Sequence, residues 1–586
     1  MSSDDNVIYF AETDFRNRRT KFGIRSEDRT KHVYIIGKTG MGKSTVLENM
    51  AVQDIQNSSG MGFIDPHGKT AELLLDYIPP ERINDVVYFA PHDVDHPVSF
   101  NVMEDVGKNQ RHLVVSGLVA SFKKIWPDVW SARMEYILSN ILLALLEYPD
   151  STLLGVNRML SDADYRSRVV ANTTDPTVRA FWTDEFAKYS EKYMTEAGAA
   201  IQNKIGQFTA NPIIRNIVGQ PKSSFDIRKI MDEKKILIMN LSKGRIGETN
   251  ANLIGGMLIT KIYLAAMSRA NVSNAEIARL PNFYFYVDEF QSFANDSFAD
   301  ILSEARKYKL NLTIAHQYIE QMEEKVRDAV FGNVGTTIAF RVGPLDAEVL
   351  EKIFAPKFIL EDIVNLGVYQ IYLSLMIDGI GSPPFSAKTL GPIPLPEISN
   401  KDKVIEASRK TFSYAREQVE RDIEEWYKPV QGIPGIMSAN PSGSGFPKKK
   451  KSSSTFSSSS SPARPSTSSA STTTPPTFSS PVSTTTISAQ AGASSVVKPL
   501  AATVVSPNVP RPISPPVPAQ AKPNLKELIA GAMKTYKEQN NPHTSAQNIV
   551  PKVQTPSPVA PQQTAQPQPQ KPKEIPEEEL RKILEI

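Results

Sequence analysis

The stretch HVYIIGKTGMGKST, residues 32–45, constrains this chain more than any other. It holds the spacing Gly37-x4-Gly42-Lys43-Ser44. Glycines let backbone N–H groups turn inward around phosphate oxygens, the lysine reaches β- and γ-phosphates, and the hydroxyl ligates Mg²⁺. The apolar run VYII predicts a strand into the loop, and STVLENMAVQDIQ predicts a helix out of it. That order is the one a phosphate cradle needs. The expected nucleotide-binding residues are Gly37, Lys38, Thr39, Gly40, Met41, Gly42, Lys43, Ser44 and Thr45.

A phosphate loop serves kinases, GTPases and motors alike, and a second feature separates them. In FYFYVDEF, a five-residue strand over 283–287 delivers Asp288 and Glu289 to its tip. Two carboxylates there are costly unless a cation or solvent meets them. Asp288 is expected to hold Mg²⁺ together with Ser44, and Glu289 to polarise the attacking water. No guanine-reading NKxD stands in a suitable place, so the pair points to an ATPase with ATP and Mg²⁺ as its cofactors. Gln317 closes the strand-like NLTIAHQ, where its amide is expected to sense the γ-phosphate. Arg306, in FADILSEARKYKL, becomes an arginine finger if it faces a neighbouring subunit; Arg341 in AFRVG is a rival for that role. His67 in IDPHG has no metal-ligand spacing around it and reads as structural, while Asp65 acts on the site through other residues.

The fold class follows from the strand-like runs. VYIIG, GFID, VVYFA, KILIMNL, FYFYVDE, NLTIAHQ, TTIAFRV and YQIYLSLM mostly lack polar alternation, as strands buried on both faces of a parallel sheet do. Helical stretches separate them, which predicts an α/β fold, a P-loop NTPase with a mostly parallel central sheet. Residues 104–230 carry helical spacing and no convincing strand, so they read as an all-α insertion. The expected organisation is 1–103 and 231–400 for the two parts of the NTPase domain, around the 104–230 insertion. A helical extension over 401–437 and a disordered tail over 438–586 follow.

Composition matters most in that tail, where Ser, Thr, Pro, Gln and Ala crowd out the apolar residues that ordering requires. Two islands interrupt it, PNLKELIAGAMKTYKEQ (523–539) and a helix starting at Pro576 and running to 586. Transient helicity without a role and a tethered peptide docking on a protein partner are both open for them. The run PKKKK at 447–451 is solubilising charge or a nuclear signal. With no cysteine among 586 residues, disulfide and thiol chemistry are excluded. A net charge of +3 speaks only weakly for nucleic acid. The first residues have no apolar signal core, and YILSNILLALLEY (136–148) is too short to span a bilayer. A soluble, cytoplasmic protein without direct membrane insertion is expected, meeting a membrane only through a partner.

GKTGMGKS, FIDPHGKTAELLLDYIP, VVYFAPHDVDHPVSFNVME, FYVDEFQSFA and TIAHQY, in this order, resemble the conjugative (type IV secretion) coupling-protein ATPases and the wider HerA/FtsK group of DNA pumps. The resemblance covers about residues 7–395. It implies a RecA-like fold and a homohexameric ring that hydrolyses ATP and moves DNA, without regard to sequence, through its channel. Lys43 and Ser44 match the Walker A lysine and hydroxyl, Asp288 and Glu289 the Walker B pair, and Gln317 the following glutamine motif. Arg306 falls where the family places its trans-acting arginine, and 104–230 looks like the family's all-α domain. Membrane-bound members begin with transmembrane helices, whereas this sequence starts close to the loop, so a soluble variant is expected. Lys243 and Arg245, in LSKGRIGETN, are placed on a flexible loop that either meets DNA phosphates or is ordinary surface. A ring that recruits or threads protein and a nucleotide-gated scaffold are the alternative readings, the intact Glu289 weighing against the scaffold.

Overall fold

Strand burial divides this sheet into two kinds of strand. The chain contributes β1 (Val7–Thr13), β2 (Lys21–Arg25), β3 (Val33–Ile36), β4 (Gly60–Asp65), β5 (Val86–Phe89), β6 (Ile236–Asn240) and β7 (Phe283–Val287). Then come β8 (Leu310–His316), β9 (Thr336–Ala339), β10 (Gln370–Ser374), the short β11 (Met376–Ile377) and β12 (Ile380–Gly381), and β13 (Phe385–Thr389). In this computed structural model residues 7–14 and 18–428 are described, all within one compact unit. The expected tail over 438–586, its helices at 523–539 and 576–586, the lysine run at 447–451 and the end of the 401–437 extension lie outside them.

Eleven strands form one sheet in the order β2-β1-β13-β10-β9-β3-β8-β7-β4-β6-β5. From β9 to β5 every pairing is parallel. Every residue of these strands is buried, so their sequences run apolar without alternation. From β9 outward through β10, β13, β1 and β2 the pairings are antiparallel. There buried and partly exposed residues alternate, as on a sheet with one wet face. The α/β class and the mostly parallel sheet read from the sequence are what the structure has. The antiparallel wing of β1, β2 and β13 is added to them.

Alternation along β3 assigns the two layers. Val33 and Ile35 join the core under α1 (Lys43–Gln56) and α2 (Lys69–Asp76), while Tyr34 and Ile36 join the larger core on the other face. That second layer holds α3 (Arg111–Ile125), α4 (Ala132–Glu147) and the long helix Glu248–Met267. Between β5 and β6 the described chain makes eight α-helices and no strand. A Cβ on Gly117 would stand 2.3 Å from Thr260 Cγ2, so the bare backbone of α3 seats the Thr260 side chain of the long helix. Helix Glu248–Asn271 holds an 18-residue stretch of mean hydropathy 1.3, long and apolar enough to cross a membrane, but 67% of that stretch is buried inside the fold. Its hydrophobicity is that of a core helix.

Two polar devices pin the end of the sheet where its parallel strands begin. Arg29 is fully buried and donates to both Asp54 oxygens, at 2.7 and 2.8 Å, and to Tyr286 Oη at 2.7 Å. It also lies 3.7 Å from the Tyr284 ring centroid. The cluster ties the end of α1 to β7. His32 Nδ1 accepts from the Leu312 N–H at 3.0 Å, which leaves Nε2–H to donate to Leu302 O at 3.2 Å. Burial, and after it the nearby Arg306, depress its pKa to about 4, so the ring is neutral.

Candidate active site

The cradle lies where β3 ends, and it needs two of its glycines for steric reasons. A Cβ on Gly37 would meet Phe340 Cβ at 2.5 Å, and Gly42 has φ 116°, a backbone that side chains resist. The loop is tied to its neighbours by Gly37 N–H to His316 O (3.3 Å) and Lys38 N–H to Arg341 O (2.9 Å). Lys43 opens α1 from a buried position, its ammonium donating to Gly37 O at 2.6 Å and Lys38 O at 3.3 Å. Burial lowers its pKa, while Glu289 and Asp288 hold it up. Ser44 is exposed on the first helical turn, where backbone N–H groups have no partner within the helix.

β7 releases the acids beside the loop. Asp288 is buried, and its pKa is pushed up to about 7 by burial and by the charges of Asp65 and Glu289. Glu289 has φ 48°, left-handed for a residue with a side chain, and its N–H donates to Asp288 Oδ1 at 2.9 Å. Both of its oxygens accept from amides: Oε1 from Gln317, and Oε2 from Gln291 at 2.5 Å. The other end of the Gln317 amide accepts from Thr39 Oγ1 at 3.1 Å. The residue just past β8 therefore links the phosphate loop to the acid just past β7, with β8 lying between β3 and β7. Asp65, at the tip of β4, accepts from His67 N–H (2.7 Å) and Ala71 N–H (3.0 Å), fixing the turn into α2.

The donor set suits a hard cation. Ser44 and Asp288 offer only oxygen, and Asp65 and Glu289 crowd the Asp288 carboxylate against the countercharge of Lys43. Among the described residues no group of three or more His, Cys, Asp or Glu side chains can hold a metal alone. Mg²⁺ is ordinarily held by one or two protein ligands together with substrate phosphates.

Of the residues singled out from the sequence, the structure brings together Lys43, Ser44, Asp288, Glu289, Gln317 and the loop from Gly37 to Thr45. It does not bring Arg306 to them. Arg306 is exposed on the turn Ala305–Tyr308 that leads into β8, at the opposite end of that strand from Gln317. Arg341 lies beside the loop through its carbonyl. His67, read as structural, has Nε2 3.9 Å from Glu289 Oε1.

The flexible loop expected at 241–250 is corrected. Ser242 takes φ 35°, its hydroxyl donating to Asn240 Oδ1 at 2.5 Å, and Lys243–Ile246 is a helical turn. Lys243 N–H donates to Pro66 O at 2.7 Å, and Arg245 lies 3.4 Å from Glu72. Lys243 lines a cavity of about 620 Å³ above Glu289 and Gln317, shared with Lys124 of α3 and Asn252 of the long helix. Sequence reading passed over Lys124, because nothing local distinguishes one lysine at a helix end from its neighbours.

A sequence model of the family described as type IV secretory system conjugative DNA transfer matches residues 3–333. No curated protein matches the chain significantly. Among solved structures, the unbound monoclinic form of the bacterial conjugative coupling protein TrwBdeltaN70 is 13% identical with a TM-score of 0.48, covering 68% of this chain and 90% of its own. The plasmid coupling protein TrwB in complex with the ATP analogue ADPNP is 13% identical with a TM-score of 0.48, over 68% of this chain and 91% of its own. VirB4 of Thermoanaerobacter pseudethanolicus is 13% identical with a TM-score of 0.44, over 68% and 99%.

Proposed function

Because the chain belongs to the type IV secretory system conjugative DNA transfer family, we propose that it is a ring-forming ATPase that spends Mg-ATP hydrolysis on moving DNA. The observation that carries the reading is the Gln317 amide, bonded at once to Thr39 of the phosphate loop and to Glu289. Such a bridge lets occupancy of the loop set the orientation of the base that activates water.

In this reading the loop N–H groups and Lys43 bind the triphosphate. Ser44 and Asp288 hold Mg²⁺, which neutralises charge on the phosphoryl oxygens. Glu289 takes the proton of the attacking water, its two oxygens already aimed by Gln317 and Gln291. Arg306, exposed and remote from its own loop, serves the site of the next subunit of a homohexamer; such fingers contribute ~10³–10⁵ in rate. DNA is held through phosphates by loops lining the channel, so binding weakens steeply with salt. The helical block between β5 and β6 packs through α3 and α4 into the core on one face of the hydrolytic sheet and belongs with it to each ring subunit. The protein works in the cytoplasm, recruited to a membrane by a partner that the segments 523–539 and 576–586 engage.

The test is ATP turnover with and without single- and double-stranded DNA, in wild type and Glu289→Gln. DNA stimulation that vanishes in the variant is the expected result. Indifference of the wild-type rate to both kinds of DNA would sink the DNA part, and no turnover at all would sink the ATPase part. Mixing Arg306→Ala with Lys43→Ala subunits should restore partial activity at mixed interfaces.

A further inference from the structure

The strand order says which way a nucleotide lies. β3 carries the loop, β8 and β7 on one side carry Gln317, Asp288 and Glu289, and β9 and β10 lie on the other. A triphosphate whose γ end faces Glu289 leads its ribose and base away from β8, toward β9 and β10. β10 is antiparallel to β9, so its first residues stand at the same edge of the sheet as the loop. Immediately before β10 stands Tyr369.

This tyrosine is held in place against its own preference. Its φ is 64°, a left-handed conformation that is an outlier for a bulky side chain. Bonds on both sides enforce it: Tyr369 N–H donates to Met41 O of the phosphate loop at 3.2 Å, and Thr389 N–H of β13 donates to Tyr369 O at 2.9 Å. The ring lies against the loop, its Cδ1 2.8 Å from where a Cβ on Gly42 would stand. Yet 43% of the residue is exposed, beside Val368 at 48%. A prop for the loop would be served by any apolar side chain turned inward. A strained, part-exposed tyrosine tied to the cradle is instead a surface waiting for a flat apolar partner.

Resting on the ATP-site reading, we propose that Tyr369 is the base-stacking residue, taking the purine ring of ATP on its exposed face. Aromatic stacking needs only the π-face that every base has. Tyr369 thus adds affinity and fixes the direction of the nucleotide without touching the reacting atoms.

Titration calorimetry with Mg-ATP and with Mg-tripolyphosphate, which has the phosphates and no base, tests the assignment on the full chain. Tyr369→Asn removes the ring but tolerates the left-handed backbone, and Tyr369→Phe keeps the ring. The expected result is an ATP affinity about tenfold weaker in Tyr369→Asn with tripolyphosphate affinity unchanged, and Tyr369→Phe equal to wild type for both. In turnover, KM for ATP rises about tenfold in Tyr369→Asn while kcat stays. Equal weakening of both ligands in Tyr369→Asn overturns the proposal in favour of a prop, and weakening of neither overturns it outright. Wild-type protein that binds tripolyphosphate as tightly as ATP overturns stacking alone. Wild-type protein that binds neither overturns the nucleotide reading, and stacking with it.

Discussion

Two buried clusters of charge stand at opposite ends of the parallel strands, and they are built to opposite specifications. In the lower one Arg29 meets Asp54 through two parallel bonds and Tyr286 through a third, with only its Nε lacking a partner among the described residues. Burial alone would pull the guanidinium down, yet Asp54 and the tyrosines hold its pKa above the ordinary value. In the upper cluster Asp65 and Glu289 crowd Asp288, which burial and their charges drive up to about 7, while Asp288 and Glu289 share the ammonium of Lys43. The backbone is strained there too, at Glu289. A satisfied cluster is architecture. A cluster short of positive charge, held by strain, is prepared for a cation and a reaction.

The comparison breaks first, and hardest, at Glu289. If the upper cluster exists for chemistry, Glu289→Gln should lower kcat by about 10²–10⁴ while leaving the melting temperature close to wild type. A variant that hydrolyses normally, or one that unfolds, would place the upper cluster with the lower. The matching experiment below is Asp54→Ala, which leaves Arg29 charged, buried and unpaired. Denaturant titration should show a loss of about 3–5 kcal/mol. The triple change Arg29→Met, Asp54→Leu and Tyr286→Phe should recover most of it, because apolar replacement of a buried polar cluster that leaves no orphaned hydroxyl is close to neutral.

A smaller effect comes from His32, which sits near the lower cluster and is kept neutral. Its folded pKa, about 4, lies below the ordinary 6.5, so the unfolded chain takes up the proton first. Its contribution to stability is therefore complete above pH 6.5 and is lost as pH falls toward 4, on the order of 3 kcal/mol in all. Denaturant midpoints at pH 7, 5.5 and 4.5 should fall in that order. His32→Gln should flatten the slope, and an unchanged slope would assign the acid sensitivity elsewhere.

The sequence showed the upper cluster and hid the lower. Lys43, Asp288 and Glu289 sit in short motifs, because a phosphate loop and a strand tip are local structures with local spacing. Arg29, Asp54 and Tyr286 are scattered over three elements, and only the folded sheet brings them together. The same logic separates the strands. β3 to β9 are buried on both faces and announce themselves as apolar runs, whereas β1, β2 and β13 alternate and carry lysine, arginine and glutamate. Tyr369 was illegible for a third reason, since its positive φ is imposed by bonds to Met41 and Thr389 and not by its neighbours in sequence.

The smallest effect is the most discriminating, because its sign is unusual. Asp288→Asn removes one of the crowded negative charges in the upper cluster while keeping the side chain's shape. In Mg²⁺-free buffer the variant should gain about 1–2 kcal/mol, as substitutions that relieve an active-site conflict do. Adding Mg²⁺ with a non-hydrolysable ATP analogue should reverse the order, since ligand binding stabilises the wild type through linkage and the variant has lost a cation ligand. Thermal melts of the two proteins in the two buffers give the four numbers required. If Asp288→Asn is the less stable in both, the upper carboxylates are load-carrying parts of the fold and the distinction between the clusters fails. If the order inverts with ligand, the instability of the upper cluster is the energy that Mg-ATP binding relieves.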